Sequence, residues 1–427
     1  ETGMKEHSLL LRENPGVTDY KINVHRKKSY EMFFVKGKLE TVRCTDTCDT
    51  NVTVYAAHGE YLGDAEFPVY PSTTEAEVKE LIDEAVQKAL LICNKPYSLP
   101  AEEAGEYYVQ SNFSEFCPDA LAAVVANTVF DANRITNGSL NAVEVFVNRH
   151  HETVTNSRGL QKSQTRYDAM VEAIPTYNGR EQSVELYEQY NFSNLDEEVL
   201  YQEIADRMAA VKARYEAVKP QQPLDCKVIF HKQEIEALVA PIANALNYAS
   251  VYSHTTIFRK GDAIQKEPTG DRIQLTMAGA LKGSVRSSQF DSDGMSLGQM
   301  QIVKDGIAVN YYGSNRFGQY LGEAPTGSLP CIHLAPGTLP EAEMKTGSYL
   351  EVISMSGLQV DFFSDYIGGE IRLAYYCDGK TCTPVTGISI SGSLSKALQT
   401  IRFSTEEAIY NAYVGPGKAL LDNLKIF

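Results

Sequence analysis

Two adjacent histidines followed by a glutamate, His150, His151 and Glu152, come closest to the ligand types of a zinc peptidase. A zinc-binding helix needs two histidines one turn apart, so that both imidazoles face one metal ion. Thr155 stands four residues after His151, and the alternating apolar residues before the pair indicate strands. We therefore expect exposed histidines in a segment between two strands, pointing to opposite faces and not sharing a metal.

Other catalytic patterns fail as well. The serine-containing stretches lack the G-x-S-x-G elbow, and GSNRFGQYLGEAPTG lacks the Lys-Ser/Thr of a P-loop. Cys93 and Cys117 have no histidine nearby in the sequence to activate a thiolate. Asp291 and Asp293 could form a carboxylate pair or a cation site, but an Asp-rich turn between strands is the favoured interpretation. We predict no catalytic and no metal-ligating residue in this chain.

Composition sets the broad class. The chain has 427 residues, 43% hydrophobic and 22% charged, which is typical of globular proteins and long enough for two domains. Its net charge of −16 disfavours nucleic acid, which clustered cations bind. No apolar run reaches the roughly 18 residues that span a bilayer. Glu1-Thr2-Gly3 before Met4 is typical of a vector remnant, and no signal peptide follows, so we expect a cytoplasmic protein without membrane contact.

The cysteines do not form a metal-binding pattern. All eight are scattered, so we expect reduced structural thiols, although Cys44 with Cys48 and Cys377 with Cys382 could each be half of a metal site. The glycosylation sequons are expected to be chance matches.

The elements that would position any site begin with a weak internal repeat, about residues 20–92 and 142–217. KINVHRKKSYEMFFVKGKLETV and VEVFVNRHHETVTNSRGLQKSQ each predict a strand that passes an arginine (Arg26, Arg149), a second strand, and a turn at Gly37 or Gly159. A helix closes each copy, and the predicted starts are Ser72 and Asn194, each with a glutamate at capping-box spacing.

The predicted fold class is α+β with two domains, residues 4–220 and 225–427. A helix over Pro118–Asn133 lies between the repeats, and the Pro- and Gln-rich VKPQQPLD marks the boundary. A strand at Lys227–Phe230 and a helix at Gln233–Asn247 then lead into glycine-rich β runs, with a hairpin turn at Lys304-Asp305-Gly306. We expect the second domain to be mainly antiparallel.

The sequence resembles the TldD/TldE (PmbA) family, also known as candidate modulators of DNA gyrase, over nearly its whole length. VKGKLETV and TVTNSRGL look like family turns, and PVTGISISGSL looks like the family's C-terminal motif. The most specific likeness is FDSDGMSLGQMQIVKDGIAVNYYGSNRFGQYLGEAPTGS. From it we take the candidates for contact with a peptide or partner chain: Phe290, Asp291, Asp293, Gly294, Ser314, Arg316, Thr326 and Gly327.

The resemblance implies a peptidase system of two related chains. In it the TldD-type chain binds zinc through a His-Glu-x-x-x-His helix and a cysteine, and the TldE-type chain lacks these ligands. The corresponding helix here, KQEIEALVAPIANALNYASVY, contains no histidine. The resemblance therefore implies a non-catalytic TldE/PmbA-type subunit, with zinc in a TldD-type heterodimer partner and an unfolded peptide as substrate.

Two alternatives stay open. One is a self-sufficient metallopeptidase with a divergent site, using Glu234, His231 or His254. The other is a homodimeric peptide-binding or scaffold protein. If the chain is the non-catalytic TldE/PmbA-type subunit, we also expect Arg316 to present its guanidinium fork to a carboxylate of the partner or of a peptide terminus. An exposed Arg316 should have little influence on stability.

Overall fold

A computed structural model describes residues 2–427, and Glu1 of the predicted vector remnant lies outside the described residues. The elements of the N-terminal half are α1 (Thr2–Glu13), β1 (Asp19–Val35), β2 (Lys38–His58), β3 (Tyr61–Val69), α2 (Glu75–Ala89), β4 (Ala104–Tyr108), α3 (Pro118–Asp131), β5 (Gly138–Asn156), β6 (Gln161–Asn178), β7 (Ser183–Glu185), β8 (Glu188–Phe192) and α4 (Glu197–Glu216).

One eight-stranded sheet organises this half, in the order β3-β2-β1-β5-β6-β4, with β7 and β8 also paired to β6. Strands β1 and β2 form the first hairpin, and β5 and β6 form the second hairpin. The two hairpins join through an antiparallel β1–β5 ladder that runs from Lys21↔Asn156 to Val35↔Ala142. Helices α1 and α2 pack on the first hairpin, and α3 and α4 pack on the second. The structure thus contains the predicted strand–strand–helix duplication.

Several local predictions needed correction. Arg26 and Arg149 do not interrupt strands, because β1 and β5 each run through them without a break. Helix α2 is capped by Thr74, with Glu77 completing the capping box, and not by Ser72. Helix α4 is capped by Asp196 and not by Asn194. Where several residues in a row can cap, the helix start depends on packing as well as on the motif.

The elements of the C-terminal half are β9 (Lys227–His231), α5 (Lys232–Ala245), α6 (Tyr248–Tyr252), β10 (Leu275–Ala278), β11 (Gln299–Lys304), β12 (Ile307–Ala308), α7 (Asn315–Leu321), β13 (Cys331–Leu334), α8 (Glu341–Met344), β14 (Tyr349–Met355), β15 (Gln359–Asp361), β16 (Tyr366–Cys377), β17 (Cys382–Val385), β18 (Ile388–Ser393), α9 (Leu394–Thr400), β19 (Arg402–Phe403), β20 (Glu407–Tyr410), β21 (Tyr413–Pro416), β22 (Lys418–Leu421) and β23 (Lys425–Ile426).

These strands form a six-stranded sheet, β12-β11-β10-β13-β21-β20, and a nine-stranded sheet built on β19-β22-β9-β14-β16-β18-β23. Most pairs are antiparallel, while β9–β14 and β13–β21 are parallel. One apolar core joins side chains of both sheets and the buried stripe of α5. The fold class is α+β with a mainly antiparallel second half, as predicted, and the predicted boundary falls between α4 and β9.

One turn and one disulfide complete the description. The hairpin turn at Asp305-Gly306 is confirmed, with φ of 51° and 76°, the left-handed pair that tight hairpins need. Cys377 and Cys382 face each other across β16 and β17 and form a disulfide, so the expectation of reduced thiols is wrong for this pair. No helix within residues 2–427 combines the length and apolar character needed to cross a bilayer.

Candidate functional site

The two halves meet where the turn after β10 packs on the end of the second hairpin. Phe290 is buried against Val154, Leu160 and Tyr107. The ammonium group of Lys162, which is fully buried, donates to the carbonyl oxygen of Gly294 and to Ser296 Oγ, each at 2.8 Å, and pairs with Glu103 at 2.7 Å. A buried lysine is tolerated only with such partners, so this contact fixes the joint between the halves.

The predicted candidates at the start of the family-like stretch build this joint. Asp291 Oδ1 accepts the backbone N–H groups of Asp293 and Met295, so the favoured Asp-rich turn is present. Asp293 pairs with Lys21 at 2.6 Å. Gly294 has φ of 84°, and a side chain there would meet Leu160 at 2.6 Å, so both its conformation and the space require glycine.

A second joint between the halves lies where α7 packs against Tyr97 and Ser98. The later candidates stabilise this joint and its local turns: Ser314, Arg316, Thr326 and Gly327. Ser314 caps α7, and the Thr326 hydroxyl accepts the N–H of Gly313, which pairs with Gly327. Arg316 Nε donates to Tyr320 Oη at 3.1 Å, and its guanidinium lies over the rings of Tyr97, Phe317 and Tyr320. No carboxylate of residues 2–427 lies within 4 Å of it. Arg316 is half-buried among these rings, so the condition for little influence on stability, an exposed side chain, is not met, and its partner role stays a prediction.

Beside the first of these joints lies an open cleft of about 1080 Å³, here called the central cleft. One wall is the face of the sheet formed by β1, β5 and β6. The other wall comes from the C-terminal half, and includes Arg286, Ser288, Phe290, Asp291 and Asn411. Phe290 and Asp291 are thus the predicted candidates that reach this cleft.

The sheet wall carries a polar patch of three cross-strand rows. The strand registers align His25 with Glu152 and Gln164, Lys27 with His150 and Arg166, and Ser29 with Asn148 and Asp168. Alternate residues of a strand share one face, so all three rows lie on the same side of the sheet. This polar patch was not predicted, because its strands are far apart in the sequence.

A directed hydrogen-bond chain crosses the polar patch. His150 Nε2 lies 2.7 Å from Asp168 Oδ2, and His150 Nδ1 lies 2.9 Å from His25 Nε2. Burial opposes ionisation of Asp168, but hydrogen bonds from His150 and Asn148 outweigh it and lower the pKa of Asp168. An ionised Asp168 accepts a hydrogen bond from His150 Nε2–H. With that tautomer of the imidazole, His150 Nδ1 accepts from His25 Nε2–H, and His25 Nδ1 keeps a free lone pair. Burial lowers the pKa of His25, which favours this neutral arrangement.

A second network ties the polar patch to the opposite wall. Arg166 Nη2 pairs with Glu152 at 2.9 Å, and Gln164 Nε2 donates to Glu152 at 2.7 Å and to Ser288 Oγ at 2.8 Å. Burial opposes ionisation of Glu152, but the hydrogen bond from Arg166 lowers its pKa overall. Ser29 Oγ and Asn148 Oδ1 are buried with no partner among the described residues. Buried polar atoms are rarely left unpaired, so a water or a ligand group is expected there.

His150 therefore differs from the prediction in its burial and in its place in the fold. His150 is only 5% exposed and lies within β5, not in a segment between strands. His151 does point to the other face, where it contacts Thr165 and lines a separate cavity of about 620 Å³. The polar residues of NRHHE lie on both faces of β5, next to the central cleft on one side and this second cavity on the other.

Zinc ligands are not assembled at the position where the family carries them. Helix α5 buries Ile235, Leu238 and Ile242 in the apolar core. His231 caps its start and bonds Glu351 at 2.8 Å, while His254 is exposed beyond α6. In the part of the chain that the structure describes, no three His, Cys, Asp or Glu side chains converge as a metal site would require. These residues do not fit a zinc ion.

Comparison with known proteins defines the class. Residues 223–427 match the family model for the PmbA/TldA metallopeptidase C-terminal domain. The chain is 26% identical over 206 residues to a metalloprotease PmbA homolog of Haemophilus influenzae, covering 47% of this chain and 45% of that protein. It is also 26% identical over 205 residues to metalloprotease PmbA of Escherichia coli O157:H7, so the match spans about half the length of these relatives.

Solved structures match over the whole chain. The crystal structure of TldE from Thermococcus kodakarensis superposes with a TM-score of 0.81 at 17% identity, covering 99% of each chain. A candidate modulator of DNA gyrase from Bacteroides thetaiotaomicron gives 0.79 at 13% identity, covering 100% of this chain and 99% of that one. At such identities the likeness concerns the fold alone. The C-terminal half is thus metallopeptidase-like. Residues 223–427 therefore belong to the family of PmbA/TldA metallopeptidase C-terminal domains, and the whole chain has the fold of TldE.

Proposed function

We propose that this chain is the non-catalytic, TldE/PmbA-type subunit of a zinc metallopeptidase that degrades or matures unfolded peptides. In this proposal a TldD-type paralogue supplies the zinc and the hydrolytic step, and the present chain holds part of the peptide in the central cleft. The observation that carries the proposal is α5, whose residues at the family's zinc position are apolar core residues.

The central cleft supports the peptide-holding role. It has a volume of about 1080 Å³, is open to solvent, and is lined by polar groups that are fixed by networks. Extended peptides are commonly held by backbone hydrogen bonds and by a few oriented polar side chains. Asn148 and Ser288, which line the cleft, carry polar side chains of this kind.

The decisive experiment compares the chain alone, the paralogue alone and their mixture on an unfolded casein-like substrate with excess zinc. We expect chelator-sensitive cleavage in the mixture and none above the chelator control for the lone chain. Replacing a zinc-helix histidine of the paralogue should abolish cleavage. Glu234→Gln in this chain should leave it unchanged, because Glu234 is a buried core carboxyl.

Two results would contradict the proposal. Chelator-sensitive turnover by the lone chain, lost in Glu234→Gln, would establish the self-sufficient enzyme. A stable homodimer that neither binds the paralogue nor alters its activity would establish the scaffold protein. We further expect a cytoplasmic location, and no specific affinity for duplex DNA, because the net charge of −16 opposes phosphate contact.

A further inference from the structure

The charges that line the central cleft are unequally paired. Each of its carboxylates has a partner within the chain: Glu31 with Arg43, Glu152 with Arg166, Asp168 with His150, and Asp291 with backbone N–H groups.

Two cations of the cleft differ from these. Lys27 stands in the middle row of the polar patch, and Arg286 lines the same cleft from the C-terminal half. Neither side chain has a carboxylate within 4 Å or a side-chain hydrogen bond among residues 2–427. In a chain with a net charge of −16, two uncompensated cations in one cleft are unexpected.

We propose that Lys27 and Arg286 form a carboxylate subsite, which binds the C-terminal carboxylate or an acidic side chain of the peptide. This inference rests on the proposed peptide-holding function and specifies its ligand. An approaching carboxylate would gain charge-assisted hydrogen bonds from both walls, and no internal carboxylate would have to be displaced. Arg286 adds a planar fork, and Lys27 adds a mobile ammonium group.

Binding can be measured without labelling the protein, because the chain contains no tryptophan. The probe is an acetylated hexapeptide of glycine, serine and one tryptophan, whose fluorescence anisotropy rises on binding. Three forms are compared at neutral pH: a free C-terminal carboxylate, a C-terminal amide, and an amide with one internal glutamate. The three forms separate the terminal carboxylate from the side-chain carboxylate.

We expect one or both carboxylate forms to bind at least about tenfold more tightly than the neutral amide. Lys27→Met and Arg286→Gln should each remove most of that preference. Lys28→Met and Arg272→Gln are matched controls, because Lys28 points to the other face of the sheet and Arg272 is exposed away from the cleft. Both controls should keep the preference, and all four variants should keep the wild-type melting temperature.

The outcomes distinguish this inference from the function on which it rests. Equal binding of all three forms, or a preference that survives in either Lys27→Met or Arg286→Gln, overturns the carboxylate subsite and leaves peptide holding intact. Failure of every peptide to bind, both to the lone chain and to its mixture with the paralogue, overturns the proposed function as well.

Discussion

The two hairpins of the N-terminal half follow one plan but end in different surroundings. Leu160, just after the turn of the second hairpin, is 1% exposed because the C-terminal half packs over it. Leu39, just after the turn of the first hairpin, is 48% exposed, and Val35 and Val42 beside it are similarly open. The second hairpin is therefore a structural joint, and the end of the first projects into solvent.

Their outer edges differ in the same way. Strand β6 is paired along its outer edge with β4, β8 and β7. Strand β2 is paired with β3 only over Thr50–His58, and the structure shows no second neighbour for Lys38–Asp49. The C-terminal half packs on the turn end of the second hairpin and meets the first hairpin near the start of β1, where Lys21 pairs with Asp293. The polar patch draws on both hairpins, since β1 belongs to one and β5 and β6 to the other.

The largest expected effect tests the joint directly. Leu160→Ala should lower the free energy of unfolding by about 3 kcal/mol, because it leaves a cavity beneath Phe290. Leu39→Ala, its counterpart in the first hairpin, should change it by less than about 0.5 kcal/mol. Urea denaturation followed by tyrosine fluorescence measures both. Equal losses in the two variants would show that the hairpin ends are not different in kind.

A pH experiment extends the comparison to one carboxylate on each hairpin. Asp168 lies in the polar patch, and Asp46 forms an exposed pair with Arg26 on the first hairpin. Asp168→Asn should cost about 2 kcal/mol at neutral pH, because it removes charged hydrogen bonds to His150 and Asn148. Asp46→Asn should have no measurable effect, since exposed ion pairs contribute little.

The sign of the pH effect follows from the lowered pKa of Asp168. A carboxylate with a lower pKa in the folded state stabilises the protein above its unfolded value of about 3.9, and this stabilisation is lost as the pH falls further. The difference between the wild type and Asp168→Asn should therefore be constant above pH 5 and should close below pH 4. A difference that stays unchanged at pH 3 would contradict the assignment of an ionised Asp168.

The smallest effect concerns the second joint, at α7. Arg316→Ala should lower the free energy of unfolding by about 1 kcal/mol, because the guanidinium loses its contacts with Tyr97 and Tyr320. Arg316→Lys should lose less, since it keeps the charge over the rings. If neither variant changes stability while both lose binding to the paralogue, Arg316 contacts the partner and not the joint.

Local signals in the sequence predicted the local structure well. Helix α3, the turn at Asp305-Gly306 and the repeated hairpins follow from apolar periodicity and from glycine positions. The continuity of β1 and β5 was missed because their central residues are polar on both faces. One face meets the central cleft and the other a second cavity, so polarity there does not mark a strand end.

The polar patch could not be derived from the sequence, because it requires the pairing of β1 with β5 across more than a hundred residues. The disulfide between Cys377 and Cys382 was missed for a related reason. Their spacing was tested against zinc patterns, whereas the register of β16 and β17 places them opposite each other. The β16–β17 pairing is local and the β1–β5 pairing is long-range, and each register, once known, identifies the feature that it holds.

The unpaired edge of β2 has a consequence for solubility. Unprotected strand edges allow further strands to add and so promote aggregation. This edge includes Lys38, Glu40, Arg43, Asp46 and Asp49, so an incoming strand would bring charged side chains close together. Salt screens the repulsion between such charges. The screening length is roughly 10 Å at 0.1 M and about 3 Å at 1 M. The protein should therefore be most prone to strand-mediated self-association when it is concentrated in strong salt, as during salting-out or crystallisation.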